Sequence, residues 1–370
     1  MSLAAAVRRA EIPVDRLTVS AYRVPTDRPE SDGTARWDAT TLVLVELEAG
    51  GVQGIGWSYA SVSAAELIDE TLAPIIQGAN ALDTRALWQR MNGAVRNAGR
   101  SGIASYAIAA VDVALWDLRA RLHDVPLCDL MGLVRETVPA YGSGGFTSYD
   151  ERTLQHQLGG WARDGFSAVK MKVGRDHARD LARVESARDA IGPACALFVD
   201  GNGGYDVEEA IAIARRFAEV GVTWFEQPVD HRDLDGTRRV REHAPPGMAI
   251  ASGEYITDTA EAALVARVVD VLQADATRCG GYTGLLAIDG FCEVRRIPLS
   301  THCGPALHLH VAAASLRLRH MEYFHDHVRL EQLLFDGVVE PVQGTLRPDR
   351  SRPGHGLTFK HADAARFAIA

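Results

Sequence analysis

The chain has 370 residues, 47% hydrophobic and 24% charged, enough for one large domain plus a smaller one around a sizeable core. Its net charge of −9 argues against a nucleic-acid partner, which needs a concentrated basic face. No run approaches the roughly 18 uninterrupted apolar residues of a membrane helix. The start carries arginines without the apolar stretch of a secretory signal. The five cysteines (Cys128, Cys195, Cys279, Cys292, Cys303) are scattered, with no CxxC pair. Reduced thiols in a cytoplasmic protein are therefore expected, rather than a disulfide framework or a zinc site.

Residues 1–130 read as an α+β unit. Val14 to Val24, Thr41 to Glu48 and Val52 to Ser58 alternate or run apolar, and Gly50-Gly51 joins the last two as a hairpin. Helical periodicity follows over Ala64 to Ile76, Thr84 to Asn97 and Ile103 to Leu122. Pro25 to Asp38, rich in Pro, Asp, Gly and Arg, predicts a long mobile loop of the kind that serves as a lid. From about Val138 short apolar strands alternate with amphipathic helices. The strands are Val138 to Tyr141, Ala168 to Val173, Ala196 to Asp200, Val222 to Glu226, Met248 to Ser252, Val271 to Ala274, Pro298 to Thr301 and His320 to Tyr323. This rhythm over 131–336 predicts an α/β fold, a (β/α)8-type (TIM-like) barrel, with the N-terminal unit as an α+β cap. The tail after about Gly337 lacks the rhythm and is expected to complete the cap over 337–370.

Of 39 cationic residues only Lys170, Lys172 and Lys360 are lysines. A chain that writes nearly every cation as Arg still sets two lysines two residues apart, and lysine, unlike arginine, can be tuned to accept a proton. Both stand at the end of the second barrel strand, on one side of it. The strands that follow end in Asp200-Gly201-Asn202, Glu226-Gln227-Pro228, Gly253-Glu254, Asp275, His302 and Glu322. Barrel strand ends converge on one mouth. Asp200, Glu226 and Glu254 thus offer three carboxylates to a hard cation such as Mg²⁺. No arginine lies within five residues of Asp200 or Glu226 to pair with them. Lys172 is the candidate general base, with Lys170 as a like charge that lowers its proton affinity. His302, its tautomer set by Asp275, is the second acid/base.

In order and spacing these motifs (KxK at Lys170 and Lys172, DxN at Asp200 and Asn202, EQP from Glu226, GE at Glu254, then Asp275, His302 and Glu322) resemble those of the mandelate racemase subgroup. That subgroup belongs to the mandelate racemase / muconate lactonizing enzyme family of the enolase superfamily. The resemblance covers almost the whole chain, including the helix around Trp116-Asp117-Leu118. It implies one Mg²⁺ per site (Mn²⁺ as a substitute) on Asp200, Glu226 and Glu254. Lys172 and the His302–Asp275 dyad would act on opposite faces of a carbon alpha to a carboxylate. Lys170 would neutralise that carboxylate, Ser143 would touch it, and a protonated Glu322 would donate to the developing enediolate. It also implies a small-molecule carboxylate substrate and a homo-oligomer.

Polar residues in the predicted lid (Asp27, Arg28, Arg36, Asp38), together with Arg278 and Asn202, suggest a polyhydroxylated substrate, with Trp37 and Trp57 as further pocket candidates. Dehydration of an acid sugar to a 2-keto-3-deoxy acid is the favoured reaction, and racemisation or epimerisation the alternative. A Schiff-base aldolase using either lysine leaves the three acids unexplained. A binding protein on a retired barrel would lack an essential residue, and none is missing.

Overall fold

The computed structural model describes residues 11–369. The N-terminal sheet has three antiparallel strands, β1 (Arg16–Ser31), β2 (Arg36–Ala49) and β3 (Val52–Tyr59), in that order. Gly50 and Gly51 both have positive φ, 59° and 76°, as a two-residue turn matched to strand twist requires. The helix Ile103–Leu122, almost wholly buried, lies flush on this sheet because β3 carries glycine where it passes. A Cβ on Gly54 would stand 2.5 Å from Leu118 Cβ, and one on Gly56 2.3 Å from Ala114 N.

The expected loop Pro25 to Asp38 is instead the far end of the β1–β2 hairpin. Pairing slips between Pro25 and Glu30 and resumes at Glu30↔Trp37 and Ser31↔Arg36. Asp32 closes the turn, its Oδ1 accepting from Thr34 N at 2.7 Å and Ala35 N at 2.6 Å. The composition that signalled a loop belongs to a hairpin stabilised by what it lies on. Arg175 donates to the carbonyls of Asp32 and Ala35, both at 2.7 Å. Thr147 N donates to Ser31 O at 2.8 Å, and Thr34 Oγ1 to Asn202 O at 3.1 Å.

The second unit is a closed barrel of eight parallel strands: β4 (Val138–Gly144), β5 (Ala168–Lys172), β6 (Ala196–Asp200), β7 (Val222–Glu226), β8 (Ala249–Ser252), β9 (Val271–Ala274), β10 (Leu299–Thr301) and β11 (Leu318–Phe324). Each pairs with the next, and β11 pairs with β4 to close the ring. Tyr141, Phe198 and Trp224 pack in its interior with the His320 ring against all three, so the barrel is filled, not hollow.

The tail returns to the N-terminal sheet. Phe335–Asp336 pairs with Thr358–Phe359, Ile369 N donates to Ala21 O at 2.8 Å, and Phe359 packs on Tyr22. Asp117, fully buried, ties three segments. It accepts from Ile55 N on β3 and from Arg121 one turn along the same helix, and from His355 N in the tail.

The hairpin tip seats through Gly33, where a Cβ would stand 2.1 Å from Gly201 O and 2.9 Å from Val173 O. Gly33→Ala is expected to lift the tip, read as faster amide hydrogen exchange over residues 30–37 with the rest of the sheet unchanged. Exchange equal to the parent's would show that the tip is not seated by this contact.

Candidate active site

The polar strand ends meet at one mouth of the barrel. Register aligns them, since Lys172 pairs with Asp200 across β5–β6 and Asp200 with Glu226 across β6–β7. Lys170 is fully buried, with Nζ 2.7 Å from Glu226 Oε2, 2.8 Å from Glu322 Oε1 and 3.6 Å from Asp200 Oδ2. Lys172 Nζ lies 2.5 Å from Asp200 Oδ2. Burial, the largest influence, pulls both ammonium groups down, but the adjacent carboxylates outweigh it and each ends above its ordinary value. The expected lowering of Lys172 by Lys170 is present and is overridden by Asp200.

His302 Nδ1 sits 2.8 Å from Asp275 Oδ2, whose other oxygen accepts from Thr277 N and Oγ1. The opposite nitrogen, Nε2, is 2.7 Å from Glu254 Oε2. With a carboxylate on each side, both nitrogens act as donors. Burial opposes the charged ring, and the Cys303 sulfur with the Glu254 and Glu322 carboxylates holds it well above its ordinary value.

Glu322 departs from the expected protonated acid. Burial favours the neutral form, yet Lys170, His302 and Lys172 hold it ionised. It accepts from Ser143 Oγ at 2.6 Å and from Cys303 N at 2.8 Å. Ser143 is fully buried and meets this carboxylate. Glu226 is left incompletely satisfied: Oε2 takes Lys170 and Trp224 Nε1, while Oε1 is buried without a hydrogen-bond partner. Burial and then Asp200 raise its carboxyl to about 7.

An orphaned buried carboxylate oxygen and three all-oxygen donors from adjacent strands suit a hard divalent cation. Asp200, Glu226 and Glu254 do not, however, form a set within 4.8 Å of one another. Among the described residues the triplets that do are His302, Cys303 and Glu322, and Asp27, Glu30 and His325. Lys170 spans Asp200 and Glu226, while Glu254 rests on His302.

Above these groups is a cavity of about 470 Å³. Lys172, Glu254, His302, Asn202 and Arg278 line it from the barrel, and Asp32 and Trp37 from the hairpin. Arg278 lies over the Tyr255 ring and 3.7 Å from both Glu254 Oε1 and Asp275 Oδ2. Asn202 takes a left-handed backbone (φ 43°) and leaves its buried Oδ1 unpartnered. Trp37 donates to Glu30 Oε2 and meets Phe146 edge-on.

Trp57, expected in the pocket, is not there. It is fully buried, with its ring 4.3 Å from Phe335 and 5.7 Å from His355, because its face of β3 packs on the tail. Tyr59, near the end of the strand, lines the cavity instead. The charged lid residues are also elsewhere: Asp27 pairs with His325, Arg28 with Thr153, Asp38 with Arg23, and Arg36 is exposed. None of the four lines this cavity.

Tyr106, Tyr255, Cys303 and Phe324 were not foreseen as lining residues; no local pattern marks them, because they are gathered from separate elements. One wall has its own support. Tyr59 stacks on His327 with ring centroids 3.6 Å apart, and its hydroxyl donates to Glu331 Oε1 at 3.1 Å. Glu331 Oε2 accepts from Ala306 N. Burial raises the Glu331 carboxyl to about 8. The folded chain therefore holds a proton there that an unfolded carboxyl, titrating at about 4.3, has released. That contribution to stability is full below the unfolded value and is lost as pH rises through the folded one. Glu331→Gln, similar in shape and uncharged, is expected to flatten the fall in urea midpoint between about pH 5 and about pH 8. A parent and variant with parallel pH profiles would refute this assignment.

Residues 16–132 match the N-terminal domain of the mandelate racemase / muconate lactonizing enzymes, and residues 153–364 match the enolase C-terminal domain-like family. A mandelate racemase/muconate lactonizing enzyme-like protein from Rubrobacter xylanophilus is 50% identical in sequence. It superposes with a TM-score of 0.95 over 96% of this chain and 100% of its own. L-Talarate dehydratase from Polaromonas sp. JS666, crystallised with Mg and L-glucarate, is 31% identical with a TM-score of 0.87 over 97% of this chain and 98% of its own. The 3,6-anhydro-alpha-L-galactonate cycloisomerase of Streptomyces coelicolor is 30% identical over 96% of this chain and 99% of its own.

Proposed function

The chain belongs to the mandelate racemase / muconate lactonizing enzyme family of the enolase superfamily, and we propose that it is a magnesium-dependent dehydratase converting an acid sugar to a 2-keto-3-deoxy acid. The observation that carries this reading is that Lys172 and His302, at the ends of β5 and β10, line one cavity. Their strands stand well apart around the ring, with β4 and β11 between them one way and β6 to β9 the other. Two proton carriers facing one space from separate strands are what removal of an alpha proton and loss of a beta hydroxyl need. The Polaromonas relative supports the substrate class, being an L-talarate dehydratase with Mg and L-glucarate bound.

Asp200, Glu226 and Glu254 would hold the cation, which when bound supplies electrostatic stabilisation for negative charge growing on the substrate carboxylate and draws off the carboxylate charge that keeps the lysines protonated. Lys172 then takes the alpha proton. Lys170, bracketed by Glu226 and Glu322, sets positive charge against the substrate carboxylate. His302, oriented by Asp275, delivers a proton to the departing beta hydroxyl, so that water leaves and the enol becomes a 2-keto acid. Asn202, Arg278 and Trp37 are available to the hydroxylated end of the substrate.

The same two carriers also serve racemisation or epimerisation, in which the proton leaves from one face and returns at the other. The Streptomyces relative adds cycloisomerisation to the chemistry seen among similar proteins. A Schiff-base aldolase is disfavoured, because one nucleophilic lysine would leave the three acids Asp200, Glu226 and Glu254 without a role.

A library of mono- and diacid sugars incubated with Mg²⁺ and assayed for 2-keto acid is expected to yield a product that disappears with EDTA. Turnover unaffected by EDTA would reject the metal, and an isomeric product would replace dehydration by racemisation or cycloisomerisation. Lys172→Ala is expected to lower turnover by about 10³-fold and to abolish alpha-proton exchange with solvent deuterium, while Mg²⁺ affinity measured by calorimetry is retained. Parental exchange in that variant would remove Lys172 from the mechanism.

A further inference from the structure

The strand end that presents His302 presents a second group for which the proposed reaction has no use. Cys303 follows His302 directly and has a left-handed backbone, φ 50°. Its Sγ lies 3.3 Å from His302 Nε2, and Glu322 Oε2 is 3.9 Å from the same nitrogen. One donor atom from each residue lies within 4.8 Å of the other two. All three side chains are buried, yet Cys303 and His302 line the cavity, and no other lining residue carries a thiol. A cation can therefore arrive by the route open to substrate.

This donor set differs in kind from the all-oxygen acids of β6, β7 and β8. A thiolate, an imidazole and one carboxylate select a borderline-soft cation over magnesium. Tetrahedral zinc, with Zn–S of about 2.3 Å and Zn–N or Zn–O of about 2.0–2.1 Å, sets its ligands roughly 3.3–3.6 Å apart. The observed 3.3 Å falls within that spacing and the 3.9 Å a little outside it, a difference that side-chain movement can close. Three protein ligands leave the fourth position to water from the cavity.

We propose that Cys303, His302 and Glu322 form a site for a thiophilic divalent cation, zinc or cadmium, distinct from the acids proposed for magnesium, and that filling it shuts the enzyme down by capturing the proton carrier His302. Binding forms metal–sulfur, metal–Nε2 and metal–oxygen (Glu322) bonds in place of water molecules that leave the hydrated cation. The thiol proton and the Nε2 proton of the imidazolium pass to solvent, and nothing is oxidised or reduced. The cation is what draws the proton off the sulfur.

The site is read by binding, so it stands or falls separately from the choice of reaction. The full chain, with Mg²⁺ in large excess, is titrated with Cd²⁺ and followed by the ultraviolet thiolate-to-cadmium absorption. One equivalent per chain is expected to develop the band, and Cys303→Ser and Cys303→Ala are each expected to lose at least nine-tenths of it. Calorimetric Cd²⁺ uptake without the band, or a band retained in both variants, would overturn the proposal. On the unaltered chain loaded with Zn²⁺ beside Mg²⁺, X-ray absorption is expected to find one sulfur at about 2.3 Å. A shell of oxygen and nitrogen alone would equally overturn it.

Discussion

The mouth of the barrel is governed by charge balance among groups almost wholly withdrawn from water. Asp200, Glu226, Glu254, Asp275 and Glu322 are all at most 4% exposed. An unpaired buried charge costs several kcal/mol even after relaxation, so each acid's position is set by a cation. Lys170 serves three of them, Lys172 one, and His302 holds Glu254 and Asp275 on its two nitrogens. Arg278, 3.7 Å from both Glu254 and Asp275, adds a fourth cation, so five carboxylates face four cations and the remainder is local. It lies at Glu226, whose unpartnered oxygen and raised carboxyl mark where additional positive charge is favoured. That two of only three lysines stand here fits the same constraint. An ammonium is a point charge that can shed its proton when its surroundings change, whereas a guanidinium cannot.

The barrel and its charged mouth were legible in the sequence because both rest on short-range rules. Strand residues two apart share a side, and parallel strands of one barrel end on one face, so Lys170, Lys172, Asp200, Glu226, Glu254, Asp275, His302 and Glu322 could be brought together from spacing alone. Charge states were not legible in that way. The ionised Glu322 depends on how closely Lys170 and His302 approach it, and the proton affinity of Lys172 on how closely Asp200 approaches.

The hairpin and the cavity walls were misjudged for a related reason. Pro25 to Asp38 has the composition of a loop when judged against water, but its tip lies on the barrel and Arg175 satisfies its carbonyls. Trp57 and Tyr59 sit two apart on β3, and a strand pattern alone does not say which of them the returning tail will cover. Cys303 reaches His302 from a left-handed backbone, a conformation no residue type in the motif announced.

The manner in which the hairpin is held has an evolutionary corollary. Arg175 grips it through the main-chain oxygens of Asp32 and Ala35, and Thr147 N takes hold of the Ser31 carbonyl. Every amino acid supplies these atoms. Apart from Gly33, which only a residue without a Cβ can replace where the tip meets the barrel, these attachments do not depend on identity, so positions between them can change without unfastening the flap. A clasp made mostly of main-chain atoms lets lineages exchange what the flap reads while leaving intact the machinery it covers.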